Sequence, residues 1–154
     1  MFLVISVDGI SIVFILLTAF IFPFCVIAVQ RMFLGRKLLP FLFIMEFFLF
    51  ATFIVQDALL FFVMFESLLL PMFVIILSFG GRERRIQAVV YFLMYTLIGS
   101  VFLTIALFII YAENRSTSFY GLQLVPFNYS VGRVLWVLLF FAFASKVPIF
   151  PFHI

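Results

Sequence analysis

The sequence predicts an all-α, polytopic transmembrane helix bundle, and three observations carry that expectation. Hydrophobic residues make up 68% of the 154 and charged residues only 10%, with a mean hydropathy of +1.44. No soluble domain of this length hides that much apolar surface. The apolar residues fall in runs of ~20, the length that carries a helix across a ~30 Å hydrocarbon core, and the chain has room for about five. The net charge is +3, but the basic residues stand in small clusters at the ends of the runs. They read as topology signals and give nucleic-acid binding little support.

In chain order, a short polar opening at Ser6, Asp8 and Gly9 leads into a first span over 10–29, in which Pro23 is expected to introduce a kink. Arg31, Arg36 and Lys37 mark an interface, and the second span, 41–55, contains Glu46. Gln56 and Asp57 make a tight turn into the third span, 57–79, which carries Glu66 and Pro71 and stops at Gly80-Gly81. Arg82, Glu83, Arg84 and Arg85 form the next loop, and the fourth span covers 88–111. Residues 112–132 are polar and form the longest loop; the fifth span, 134–154, is still apolar where the sequence stops. Together these make a single transmembrane region over 1–154. Counting Lys and Arg by parity puts the loops after the first and third spans on the cytoplasmic or matrix side.

The single cysteine, Cys25, lies in an apolar run with no partner in the chain and says nothing about redox compartment. The N-terminus lacks a basic n-region and carries Asp8, which argues against a signal or transit peptide. There is no phosphate-binding glycine loop, metal-ligand cluster or nucleophile triad in the sequence, so neither a cofactor nor a metal is expected in this chain.

Chemistry is expected where charge enters the apolar runs. An ionised carboxylate in hydrocarbon costs several kcal/mol or more, so Glu66 needs a partner, a proton or a task. Pro71 cannot donate a backbone hydrogen bond and frees the carbonyl of Ser67, one residue past the acid. Measured from the Gln56-Asp57 turn, Glu46 and Glu66 both fall ~14–16 Å deep, and Lys146 falls ~20 Å from Arg133. Three ionisable residues on three spans at similar depth can pair and hand protons along. The plainer alternatives are a protonated Glu66 bonded to a neighbouring helix, an accessory or structural Glu46, and a Lys146 that snorkels to the interface. Pro148 and Pro151 follow Lys146 closely, so the last helix must bend or break there, as the discontinuous helices of transporters do.

Weaker signals accompany these. His153 titrates near neutral pH as a residue type, but it stands alone. Tyr95, Thr96, Gly99 and Ser100 form a small, polar face suited to helix packing. Asn114 and Asn128 fit the glycosylation pattern, which matters only in a secretory protein.

Four segments, VDGISIVFILLTAFIFP, FFVMFESLLLPMFVII, GGRERRIQAVVYFLMYTLIGS and FASKVPIFPFHI, resemble in order and spacing the subunit 4 family of NADH dehydrogenase, respiratory complex I. Its members belong with the antiporter-like proton-pumping subunits and are related to multi-component sodium/proton antiporters. The likeness covers nearly the whole chain apart from the loop at 112–132. It implies part of the first of two inverted five-helix repeats, with a proline-broken last helix. Glu66 then matches an essential mid-membrane glutamate, Lys146 the lysine of the broken helix, and Glu46 a lesser acid. The implied role is a proton half-channel in which the Glu66–Lys146 pairing changes and Lys146 releases and regains its proton. Implied partners are the other membrane-arm subunits of complex I, membrane lipids, and a second polypeptide that supplies the helices beyond residue 154. The implied location is the mitochondrial inner membrane, or a bacterial plasma membrane. A cation/proton antiporter piece and a purely structural membrane-arm piece are the competing readings.

Overall fold

The computed structural model describes residues 6–31, 35–79, 85–124 and 126–147. It contains seven helices among these: α1 (Gly9–Gln30), α2 (Gly35–Ile54), α3 (Ala58–Ser67), α4 (Leu69–Phe79), α5 (Arg85–Asn114), α6 (Phe119–Leu124) and α7 (Tyr129–Ala144). The protein is an all-α polytopic bundle. Gly9–Gln30, Gly35–Ile54, Ala58–Ser78 and Ile86–Asn114 are each long and apolar enough to cross a membrane, whereas α7 is shorter. Two compact units make up the chain, Met1–Gln56 with Leu60–Ile86, and Asp57–Leu59 with Gln87–Ile154.

In the first unit α1 and α2 form an antiparallel hairpin. Phe14 stacks on Phe53 at 5.3 Å, and the Ser6 N–H donates to the Ile54 carbonyl at 3.3 Å. Beside that bond the Gln56 side-chain amide donates to the Asp8 carboxylate. At the other end the turn is so tight that a Cβ on Gly35 would run into the Val29 carbonyl, which explains glycine there. α1 passes through Pro23 without interruption.

The second helix starts at Gly35, not at residue 41 as the apolar run suggests. Arg36 and Lys37 occupy its first turn, both exposed. A helix can continue past the hydrocarbon edge when long basic side chains reach the headgroup layer. Buried hydroxyls stay within their own helices: Thr18 donates to the Phe14 carbonyl and Thr52 to that of Leu49.

The third span is interrupted at Leu68, which separates α3 from α4. Pro71 has no N–H for the Ser67 carbonyl, so one rung of the helix is missing at that point. The Ser67 hydroxyl turns back to the Val63 carbonyl at 2.7 Å, and the ladder resumes with the Met72 N–H on the Leu68 carbonyl at 3.4 Å. Replacing Pro71 with Ala restores the missing donor and should join α3 to α4. Amide exchange at residues 68–72 is expected to slow by about tenfold, the equivalent of one ordinary backbone bond.

In the second unit α5 and α7 pack antiparallel around Ala106, Ile110 and Leu135, with Leu122, Phe127, Val131, Leu138 and Leu139 against them. The buried residues of α5 include Thr96, Ser100, Leu103, Leu107 and Ile110, which recur every three or four positions, with Ala106 beside them on the same helix face. Phe102 meets Phe141 at 5.8 Å. α5 reaches Asn114 and α6 forms within the stretch 112–132, so much of the expected loop is helical. The Asn114 side-chain nitrogen, the atom a glycan would use, is buried.

Candidate functional site

Glu46 lies about eight residues before the end of α2 and Glu66 about eight after the start of α3, which puts each ~12 Å from its helix end. Both are half-buried and both belong to the first unit, while Lys146 belongs to the second. Glu66 is the penultimate residue of α3. A helix stabilises negative charge at its N-terminus, not at its C-terminus. The dipole of α3 therefore gives no reason for an acid at this position. Glu66 stands instead one residue before the carbonyl that Pro71 leaves without its helical donor, between Phe65, which stacks on Phe61 at 5.8 Å, and Ser67.

What fixes the register of α3 is Asp57. Its Oδ1 accepts from the Leu59 N–H at 3.0 Å, an N-cap bond. Its Oδ2 accepts from the Thr117 hydroxyl at 2.7 Å. The Ala58 N–H also donates to the Thr117 carbonyl at 2.9 Å, and Asp57 forms a bridge pair with Ser118. Residues 115–118 are thus fastened to Asp57 and Ala58, with Arg115 at φ 54° making the turn. In the sequence Asp57 is only part of a tight turn, and nothing there points to its partner sixty residues on. Asp57→Ala removes both bonds and should lower stability by about 2 kcal/mol, measured as earlier thermal inactivation of the assembled protein. Asp57→Asn should retain most of it.

Lys146 sits in the turn Ser145–Val147, just beyond the end of α7, and is half-buried. Its N–H and that of Val147 both donate to the Phe143 carbonyl, at 3.0 and 2.9 Å. Because α7 begins at Tyr129, Lys146 stands ~25 Å along the axis from the helix start, farther than the ~20 Å counted from Arg133. A cation at a helix C-terminus is favoured by about 0.3–1 kcal/mol, which gives lysine a plain electrostatic reason to be here. Arg133, at the opposite end of α7, lies over the Tyr129 ring at 4.8 Å, an interface anchor. An open groove of about 280 Å³ runs beside α7, lined by Trp136, Leu139, Phe140, Phe143, Ala144 and Val147. It holds no ionisable group.

Pro148, Pro151 and His153 lie outside the described residues, and so do the helix break expected at the two prolines and the run Gly80–Arg84.

These features define a class: a polytopic helical membrane protein with acids inside two spans, one of them at a proline-made interruption, and a lysine at the end of an apolar helix. Residues 55–154 match the family described as NADH:quinone oxidoreductase/Mrp antiporter, TM, and the chain belongs to that family. It is 41% identical to NADH-ubiquinone oxidoreductase chain 4 of Mycosarcoma maydis, over 97% of this chain and 31% of the relative. The protein of the same name from Arabidopsis thaliana is 40% identical over 97% and 30%, and that from Acanthamoeba castellanii 39% over 98% and 31%. The chain thus spans slightly less than a third of the length of these relatives.

Proposed function

We propose that this chain is the N-terminal part of subunit 4 of respiratory complex I, in the mitochondrial inner membrane, and that it moves protons without itself binding NADH, quinone or a redox centre. The supporting observation is the likeness to proteins named NADH-ubiquinone oxidoreductase chain 4 over 97% or more of the chain. Glu66 is the proton-accepting acid and Lys146 the base whose proton is released and regained, with Glu46 accessory. Carboxylates and amines inside a membrane are rare because they are costly, and they serve transfer when they face a partner or a hydrated path. The carbonyl at Ser67, lacking its helical donor, offers such a path an acceptor next to the acid. The remaining helices of the subunit come from a second polypeptide or from further sequence, and membrane lipids surround the assembly.

Purification of the protein from its native membrane, with identification of every co-purifying chain, tests this reading. The expected outcome is a multi-subunit assembly that oxidises NADH and pumps protons. Recovery in an assembly without NADH oxidation that exchanges cations for protons would instead establish the antiporter reading, which the family description also covers.

A further inference from the structure

The proposed role of Lys146 leaves open what holds its backbone in place. We infer that Gly99 is a positioning residue for Lys146, acting through Ser145; this rests on the reading of Lys146 given above. Gly99 is buried in the middle of α5, where glycine costs a helix about 1 kcal/mol relative to alanine. Something must offset that cost. A Cβ at position 99 would overlap the Ser145 hydroxyl, and it would meet the Ser145 Cβ at 3.0 Å and the Ala142 carbonyl at 3.3 Å.

Ser145 has little freedom to move aside. Its hydroxyl donates to the Ala142 carbonyl at 2.8 Å, and its N–H to the Phe141 carbonyl at 3.1 Å. The next residue is Lys146, itself tied to Phe143. Rotating the hydroxyl away gives up its bond to Ala142 and still leaves the Ser145 Cβ contact at 3.0 Å and the Ala142 carbonyl contact at 3.3 Å, so the remaining strain falls on the backbone of the turn that holds Lys146. The contact is steric and not a polar bridge. On either side of Gly99 the hydroxyls are satisfied within α5, Thr96 by the Phe92 and Leu93 carbonyls and Ser100 by that of Leu97. Close approach at glycine commonly serves helix packing alone. Here it falls at the very end of α7, one residue before a base, and proton transfer is steep in distance.

The test uses the full complex in native membranes and measures protons pumped per NADH oxidised, alongside the amount of assembled complex. Gly99→Ala is expected to lower the proton yield by about threefold or more, as a shift of a few tenths of an ångström or more does to a positioned group, with assembly maintained. Gly99→Ala combined with Ser145→Gly, which moves the methyl into space the serine vacates, should restore the yield. An unchanged yield in Gly99→Ala, or a loss that Ser145→Gly does not repair, overturns the proposal. If Gly99→Ala alone does not assemble, Gly99→Ala combined with Ser145→Ala carries the decision, since it removes the overlapping hydroxyl but keeps the Cβ contact at 3.0 Å. A reduced yield there, beside a normal one in the pair with Ser145→Gly, supports the positioning role, and equal yields in the two pairs remove it. Lys146→Met in parallel separates the two levels of inference. A normal yield there ends the lysine's own role, whereas a lost yield with an unaffected Gly99→Ala ends only this one.

Discussion

Glu66→Gln should abolish proton pumping by the assembled complex while the complex still forms. Glutamine has nearly the shape of glutamate and keeps a carbonyl oxygen, so packing around the end of α3 and the Phe61–Phe65 stack should survive. What it cannot do is take up and release a proton. Loss of a positioned acid–base group slows proton transfer by about 10² or more, which brings pumping below detection against leak. The measurement is vesicle acidification driven by NADH oxidation, with assembled complex quantified in the same membranes. If pumping continues at the wild-type rate, Glu66 is part of a static network and the transfer reading fails. Glu66→Asp separates chemistry from reach, since it keeps the acid but withdraws it by one methylene. Partial activity is expected.

Lys146→Arg is the second large effect, and its value lies in what it preserves. Arginine keeps the positive charge, the favourable placement after the α7 C-terminus and the capacity to pair with a carboxylate. It does not deprotonate in proteins. If Lys146 only balanced charge or closed off a helix end, Arg would serve about as well. If it must give up its proton on each cycle, Arg should fail as fully as Met, again by about 10². Equal loss in the two variants is therefore the expected result. Near-normal pumping with Arg alongside failure with Met would assign the residue a purely electrostatic task.

The residues that carry these predictions were unequally legible. Glu66 and Pro71 stand out because a carboxylate and a proline are both anomalous in an apolar run, and the interruption at Leu68 follows from the missing N–H of Pro71 with no tertiary information. α2 begins at Gly35, about six residues ahead of the apolar run, because Arg36, Lys37 and Pro40 mark the edge of the hydrocarbon and not the end of the helix. α6 was hidden for a related reason. It is a six-residue helix in a polar stretch, too short for any periodic signal. Arg133, the charge that marks the edge of the last apolar run, lies four residues inside α7, so it understates the depth of Lys146.

Composition and order along the chain were enough to establish that this is a helical membrane protein, how many apolar runs it has, and which of them hold charge. Those properties are local, because the cost of polarity in hydrocarbon is levied on each residue where it stands. Contacts between distant residues are another matter. That Asp57 bonds Thr117, that Gly35 closes on Val29 and that Gly99 admits Ser145 depends on which helix faces meet, and in an almost uniformly apolar sequence the faces are nearly alike in hydrophobicity. Packing chooses among them by shape, through glycines and short hydroxyls whose partners only the folded chain reveals.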